Sequence, residues 1–149
     1  MANLSKNTYH KTAPRGKTRS FVVDNGVQIY AGALVGIDAS GYLDIMSDTA
    51  GHKFIGVALE DALGNTSATP PTECRVNTEG MTLESVAIAG TFVQADVNSL
   101  IYCSTSNPAD STKTAATNIE AIGWASRFRS AGIGDITLFT PEEHTALNA

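Results

Sequence analysis

Short apolar or alternating runs, separated by turn residues, fill most of the chain, and helical spacing of apolar positions is nearly absent. That pattern predicts an all-β domain. Phe21-Val22-Val23 runs into Asp24-Asn25-Gly26, a turn because Asn and Gly accept positive φ, and Val27-Gln28-Ile29-Tyr30 follows. Residues 33–37 and 42–46, on either side of Asp38-Ala39-Ser40-Gly41, read as a hairpin. Residues 53–60 form the next expected strand. Residues 75–78 and 81–89, around Glu79-Gly80, look like a second hairpin. Runs at 91–95, 99–103, 120–128 and 135–139 complete the expected strands.

Two stretches read as loops: residues 63–72, with Gly64, Pro70 and Pro71, and residues 104–117, rich in Ser, Thr, Ala and Asn. Long loops in compact domains are often functional or mobile. The pattern changes at Thr140-Pro141-Glu142-Glu143. Thr140 is a capping residue, Pro141 suits the first helical position, and Glu143 stands where a capping box needs it. A helix over 141–147 is too short to be stable alone, so it must dock. Ala146 and Leu147 are its obvious contacts.

One stretch echoes another. Phe54-Ile55-Gly56-Val57-Ala58 returns as Ala121-Ile122-Gly123-Trp124-Ala125. Leu34-Val35-Gly36-Ile37 precedes the first by about the distance that Leu100-Ile101-Tyr102-Cys103 precedes the second. The match is short enough to arise by chance. Related geometry on two sides of a small barrel is the preferred explanation, with the glycines allowing close backbone approach.

Charge divides the chain differently. Residues 1–23 carry Lys6, Lys11, Arg15, Lys17 and Arg19 and no acidic residue. From Asp24 onward five basic residues face fifteen acidic ones, a net of −10. We therefore divide the chain into a basic N-terminal arm (1–23), a β domain (24–139) and a short helical tail (140–149). An arm this polar should be mobile alone and ordered by a partner, an acidic one by charge. The 149 residues suit one domain with a real core. The overall charge of −5 argues against nucleic-acid binding by the body. No apolar run approaches a membrane span, and the N-terminus lacks the apolar core of a secretion signal, pointing to a cytoplasm-like compartment for synthesis.

Candidate chemistry is sparse. The chain has no phosphate loop, paired-histidine zinc motif or nucleophile elbow. His10, His52 and His144 do not cluster by spacing, and no metal or cofactor is expected. Glu60-Asp61 should point to opposite faces of a strand, a poor acid/base pair. Cys74 and Cys103 read as small buried hydrophobes, with a disulfide left open. Trp124 reads as core. Arg127 and Arg129 would share a strand face, pairing with body acids or with a partner. Two minor readings are kept: a hydrolase around Asp44, Asp48 and His52, and a carbohydrate-binding β-sandwich using Tyr9, Tyr30 and Tyr42.

A resemblance rests on the order of short motifs. These are Thr12-Ala13-Pro14, then Tyr30-Ala31-Gly32-Ala33-Leu34-Val35-Gly36-Ile37, Gly41-Tyr42-Leu43 and Phe54-Ile55-Gly56-Val57-Ala58. Val86-Ala87-Ile88-Ala89-Gly90-Thr91-Phe92 and Ile122-Gly123-Trp124-Ala125 follow. In this order the chain resembles the capsid decoration, or cement, proteins of tailed bacteriophages, including the lambda-type head-stabilising proteins. The resemblance implies a small β-tulip or barrel-like domain without enzymatic activity. It implies homotrimers on the outer capsid surface, bound to the major capsid protein through an N-terminal arm that adds a strand to it. It implies no direct nucleic-acid or membrane contact. Lys6, Lys11, Arg15, Lys17, Arg19 and Phe21 are the expected capsid-binding residues, from the arm's cations and the β-prone stretch 18–23.

Overall fold

A computed structural model of the chain describes residues 2–8, 12–13, 18–115 and 121–147. The described residues form twelve strands and one short α-helix. In order these are β1 (Thr12–Ala13), β2 (Thr18–Val22), β3 (Gln28–Ile29), β4 (Leu34–Ile37), β5 (Leu43–Ile45) and β6 (Lys53–Ala58). Then come β7 (Ala62–Leu63), β8 (Glu73–Asn77), β9 (Thr82–Ala87), β10 (Leu100–Tyr102), β11 (Ala121–Ser130), β12 (Ile133–Leu138) and α1 (Pro141–Leu147). The small all-β domain and the C-terminal helix expected from the pattern are both present.

The strands form two five-stranded antiparallel sheets and a two-stranded ribbon, β3–β7. One sheet has the order β2-β8-β6-β4-β5, the other β1-β9-β12-β11-β10. Removing the outermost β5 and β1 leaves two four-stranded units of one topology. In each, the first strand pairs with the fourth and the middle strands follow as a meander: β2-β8-β6-β4 and β9-β12-β11-β10. This is a Greek-key arrangement, repeated.

The registers repeat as well. Leu34↔Val57, Val35↔Gly56 and Gly36↔Phe54 in the first unit match Leu100↔Trp124, Ile101↔Gly123 and Tyr102↔Ala121 in the second. Both ladders shift at the same step, so Ile55 and Ile122 are each an extra, bulged residue. Ala58↔Val76 and Thr18↔Asn77 match Ala125↔Ile136 and Thr82↔Thr137. The echo in the sequence therefore marks equivalent places in a duplicated fold. Both glycines sit where a neighbouring strand passes close: a Cβ on Gly56 would run into the Asn77 carbonyl oxygen, and one on Gly123 into that of Thr137.

Alternation places the core. From β4 and β6, Leu34, Phe54 and Val57 turn toward the second unit and join Leu83, Ile101, Ile122, Ala125, Ile136 and Leu138. The bulge at Ile55 is why Phe54 and Val57, three apart, share a face. The opposite face, with Val35, Ile55, Cys74 and Val76, is covered by Val23, Ile29, Ala33 and Ala62, and by Leu4 and Phe21. The link between first and second strands thus covers its own unit. In the second unit Ile88 and Phe92 come from the matching link.

Several local expectations are corrected. Residues 75–78 and 81–89 do not form a hairpin, because β8 and β9 belong to different sheets. The inner edges of both strands are already paired, and the Glu79-Gly80 turn is a corner between sheets, with Asn77 Oδ1 accepting from the Glu79 N–H at 3.0 Å. Residues 91–95 are not a strand: a 3-10 turn at Gln94–Asp96 stands there, held by the Val93 N–H donating to Asp96 Oδ2 at 2.9 Å. The described part of the 104–117 loop is packed, with Ser106, Pro108 and Ser111 buried and Thr112 exchanging backbone hydrogen bonds with Tyr102.

The hairpin β4–β5 forms as expected. Gly41 (φ +88°) makes its turn possible, while Asp38 Oδ1 accepts from the Ser40 and Tyr42 amides. Helix α1 carries both capping-box bonds, Thr140 N–H to Glu143 Oε1 at 3.0 Å and Glu143 N–H to Thr140 Oγ1 at 3.1 Å. Its docking residue is the buried His144, not Leu147, which is 47% exposed. Pro141, His144 and Thr145 line a small cleft with Ile37, Lys53, Phe54 and Ile55.

Candidate partner-binding surface

Residues 2–8 lie against the body. The Ala2 N–H donates to Asp110 Oδ2 at 3.1 Å, and the Leu4 N–H donates to Ser106 Oγ at 2.9 Å. Asn3 Oδ1 accepts from the Ser106 N–H at 2.9 Å, and the Thr8 N–H donates to the Ala31 carbonyl at 3.1 Å. Strand β1 then pairs with the outer edge of β9, and β2 forms the outer strand of the other sheet. Residues 18–22, placed with the arm by charge, are thus part of the first repeated unit.

The six expected binding residues separate accordingly. Lys6 is exposed. Arg19 is exposed and bonds Glu142 of helix α1 at 3.0 Å. That guanidinium holds the Glu142 carboxyl below its ordinary range. Phe21 is half-buried against the core of the first unit. Lys11, Arg15 and Lys17 lie outside the described residues.

Most other charged residues flagged in the sequence are engaged within the body. Glu60 pairs with Arg75 at 2.9 Å, which lowers its pKa, while Asp61 Oδ1 accepts from the Ala31 N–H at 3.0 Å. The two neighbours therefore do separate jobs. Arg129 forks onto Asp135 at 2.6 and 3.0 Å, and Asp135 Oδ1 also accepts from the Ser85 N–H. Burial works to raise the Asp135 pKa, but these donors outweigh it and hold the carboxyl low. Trp124 is half-buried with its ring 5.7 Å from Phe139. Both cysteines are free and buried, and burial pushes the Cys74 thiol up to about 11.

One grouping was not legible from spacing. Asp24, Asp38 and Asp44 converge with one carboxylate oxygen of each within 4.8 Å of the others. Among the described residues this is the one group with spacing suited to a metal ion. Each carboxylate already accepts from a backbone N–H, of Asn25, of Ser40 and Tyr42, and of Ile45. The hydrogen bond with Asp38 raises the Asp24 pKa, and burial raises that of Asp44. His52 is buried with neither ring nitrogen bonded. Asp48 is exposed, so the trio Asp44, Asp48 and His52 is split between surface and interior. Tyr30 and Tyr42 are half-buried, and Tyr9 lies outside the described residues.

Comparison of the chain with protein-family models, with curated proteins and with solved structures returns no match.

Proposed function

We propose that this chain is a structural virion protein. It binds the outer surface of a bacteriophage capsid, through the major capsid protein, and stabilises the shell across subunit joints. It acts as a homotrimer and without catalysis, after synthesis in the host cytoplasm. The observation that carries the reading is the contrast between a basic, acid-free N-terminal segment and an acidic body built of two sheets. The pairing of β1 with β9 supports it, because it is strand addition at a sheet edge by this same segment. Strand addition takes its affinity from main-chain hydrogen bonds and tolerates many side chains. Exposed cations would add long-range attraction to an acidic shell, and three copies would add avidity.

The test is occupancy on assembled capsids. The protein should co-purify with shells and appear on their outer face at threefold positions. Replacing Lys6, Lys11, Arg15 and Lys17 with neutral residues should lower occupancy, and moderate salt should lower that of the unaltered protein by screening. A protein that stays in solution beside intact shells would refute the reading.

A further inference from the structure

The duplicated fold supplies a comparison of edges. The two four-stranded units have four outer edges in all, those of β2, β4, β9 and β10. Three have a neighbour: β4 pairs with β5, β9 pairs with β1, and Tyr102 of β10 bridges Thr112. The outer edge of β2 is met at its end, where Val23 bridges Leu43 of β5, but along Thr18–Ser20 no described residue pairs with it.

The ladder shows which groups are left over. The Val23 N–H donates to the Thr72 carbonyl, which makes that pair hydrogen-bonded. Antiparallel pairs alternate between bonded and non-bonded. Phe21 and Arg19 therefore bond to β8, while Thr18, Ser20 and Val22 turn their N–H and C=O groups outward. Val22 turns toward Leu43 at the bridge, so Thr18 and Ser20 are the positions of β2 whose outward groups face no paired strand among the described residues. On β9 the equivalent of Thr18 is Thr82, and Thr82 stands opposite Ala13 of β1.

We propose that the outer edge of β2 is a docking site for the N-terminal segment of a second copy of this chain, added as an antiparallel strand. The occupant follows from the fold: this segment already sits on the equivalent edge in the other unit, with Ala13 facing Thr82, the counterpart of Thr18. Thr18, Arg19 and Ser20, along the open edge, are exposed and so accessible to an added strand. Main-chain bonding carries the contact, as it does for β1. Such a contact is head-to-tail, so it closes into a ring or runs open. The inference deepens the trimeric reading above and rests on it for the number of copies. Its experiment contains no shell, so its failure leaves capsid binding standing.

The probe is a synthetic peptide of residues 2–17, added to the full-length protein. Amide hydrogen exchange is read with and without peptide, and affinity by fluorescence anisotropy. Added peptide should slow exchange at Thr18 and Ser20, whose N–H groups it would engage. Ser20→Pro removes an outward N–H without touching the β8 ladder, and should weaken the peptide at least about tenfold. Ser20→Ala keeps the N–H and should bind like the unaltered protein. Failure to bind, binding without slowed exchange at these two amides, or binding by a folded Ser20→Pro variant at unaltered affinity would each overturn the proposal. Should Ser20→Pro fail to fold, the exchange measurement on the unaltered protein decides alone.

Discussion

The two repeated units share every ladder position compared above, yet they fill equivalent places with different side chains. At the step of the bulge, the first unit sets Gly36 against Phe54, and the second sets Tyr102 against Ala121. Small faces large in both, with the sizes exchanged between strands. A Cβ on Gly36 would lie 2.5 Å from the Lys53 carbonyl oxygen and 3.0 Å from the Met46 sulfur, so this position is closed in the first unit although an aromatic fills its counterpart. The signs of the ion pairs carried by β8 and β12 are exchanged too. Arg75 of β8 pairs with Glu60, whereas Asp135, at the counterpart of Arg75, pairs with Arg129. What the duplication conserves is therefore backbone: register, bulge and close approach. Volume and charge are met by complementary pairs, either way round.

The largest expected effect comes from breaking what the units share. Gly56→Val and Gly123→Val each drive side-chain atoms into a backbone carbonyl that its own ladder holds in place. Each should cost about 3 kcal/mol, the upper end of ordinary overpacking. Chemical denaturation of both variants should give similar losses. A large loss at one and none at the other would show that the two close approaches are not equivalent.

A middle-sized effect should separate the exchanged ion pairs. Asp135 is nearly buried and accepts from both Arg129 and the Ser85 amide, so Asp135→Asn should cost about 2 kcal/mol near neutral pH. The Asp135 carboxyl is held below its ordinary value of 3.8, so its contribution is full above that value and is lost as pH falls through the folded one. The gap between unaltered protein and variant should therefore close below about pH 4. Arg75→Ala removes a pair that is 58% exposed on the arginine side, and should cost under about 1 kcal/mol. Equal losses in the two urea titrations would contradict this ordering.

The smallest effect belongs to a feature of the first unit alone. Asp24, Asp38 and Asp44 repel one another, and burial raises the Asp44 pKa. A raised carboxylate pKa means that ionisation costs the folded state stability as pH rises through the folded value. Asp44→Asn should therefore stabilise the protein at neutral pH by roughly 0.2–1 kcal/mol, the range of close like-charge pairs in sheets. The gain should shrink below pH 4 as the acids become neutral. Thermal melts at two pH values would read it, and a destabilised variant at neutral pH would show that the Asp44 bond to the Ile45 amide outweighs the repulsion.

The sequence by itself determined the all-β class, the hairpin β4–β5, the capped helix and the existence of an internal echo. All four rest on local rules: alternation, turn chemistry at Asp38 to Gly41, the capping box at Thr140 and Glu143, and a recurring Ile-Gly pair. Tertiary structure decided everything that depends on which edges meet. Residues 75–78 and 81–89 have the alternation of a hairpin, and only the pairing of β8 with β6 and β2 sends them to different sheets. His144 is the docking residue of α1 because of where β6 passes, a fact its spacing does not encode. Asp24, Asp38 and Asp44 converge because the turn after β2 lies across the β4–β5 hairpin, where the Asp24 N–H donates to the Leu43 carbonyl at 2.9 Å. Strand pairing is long-range, and a strand's own residues specify its two faces but not its neighbours. For the same reason the open edge of β2 cannot be read from Thr18–Val22 alone. It becomes visible only when the second unit shows the equivalent edge filled.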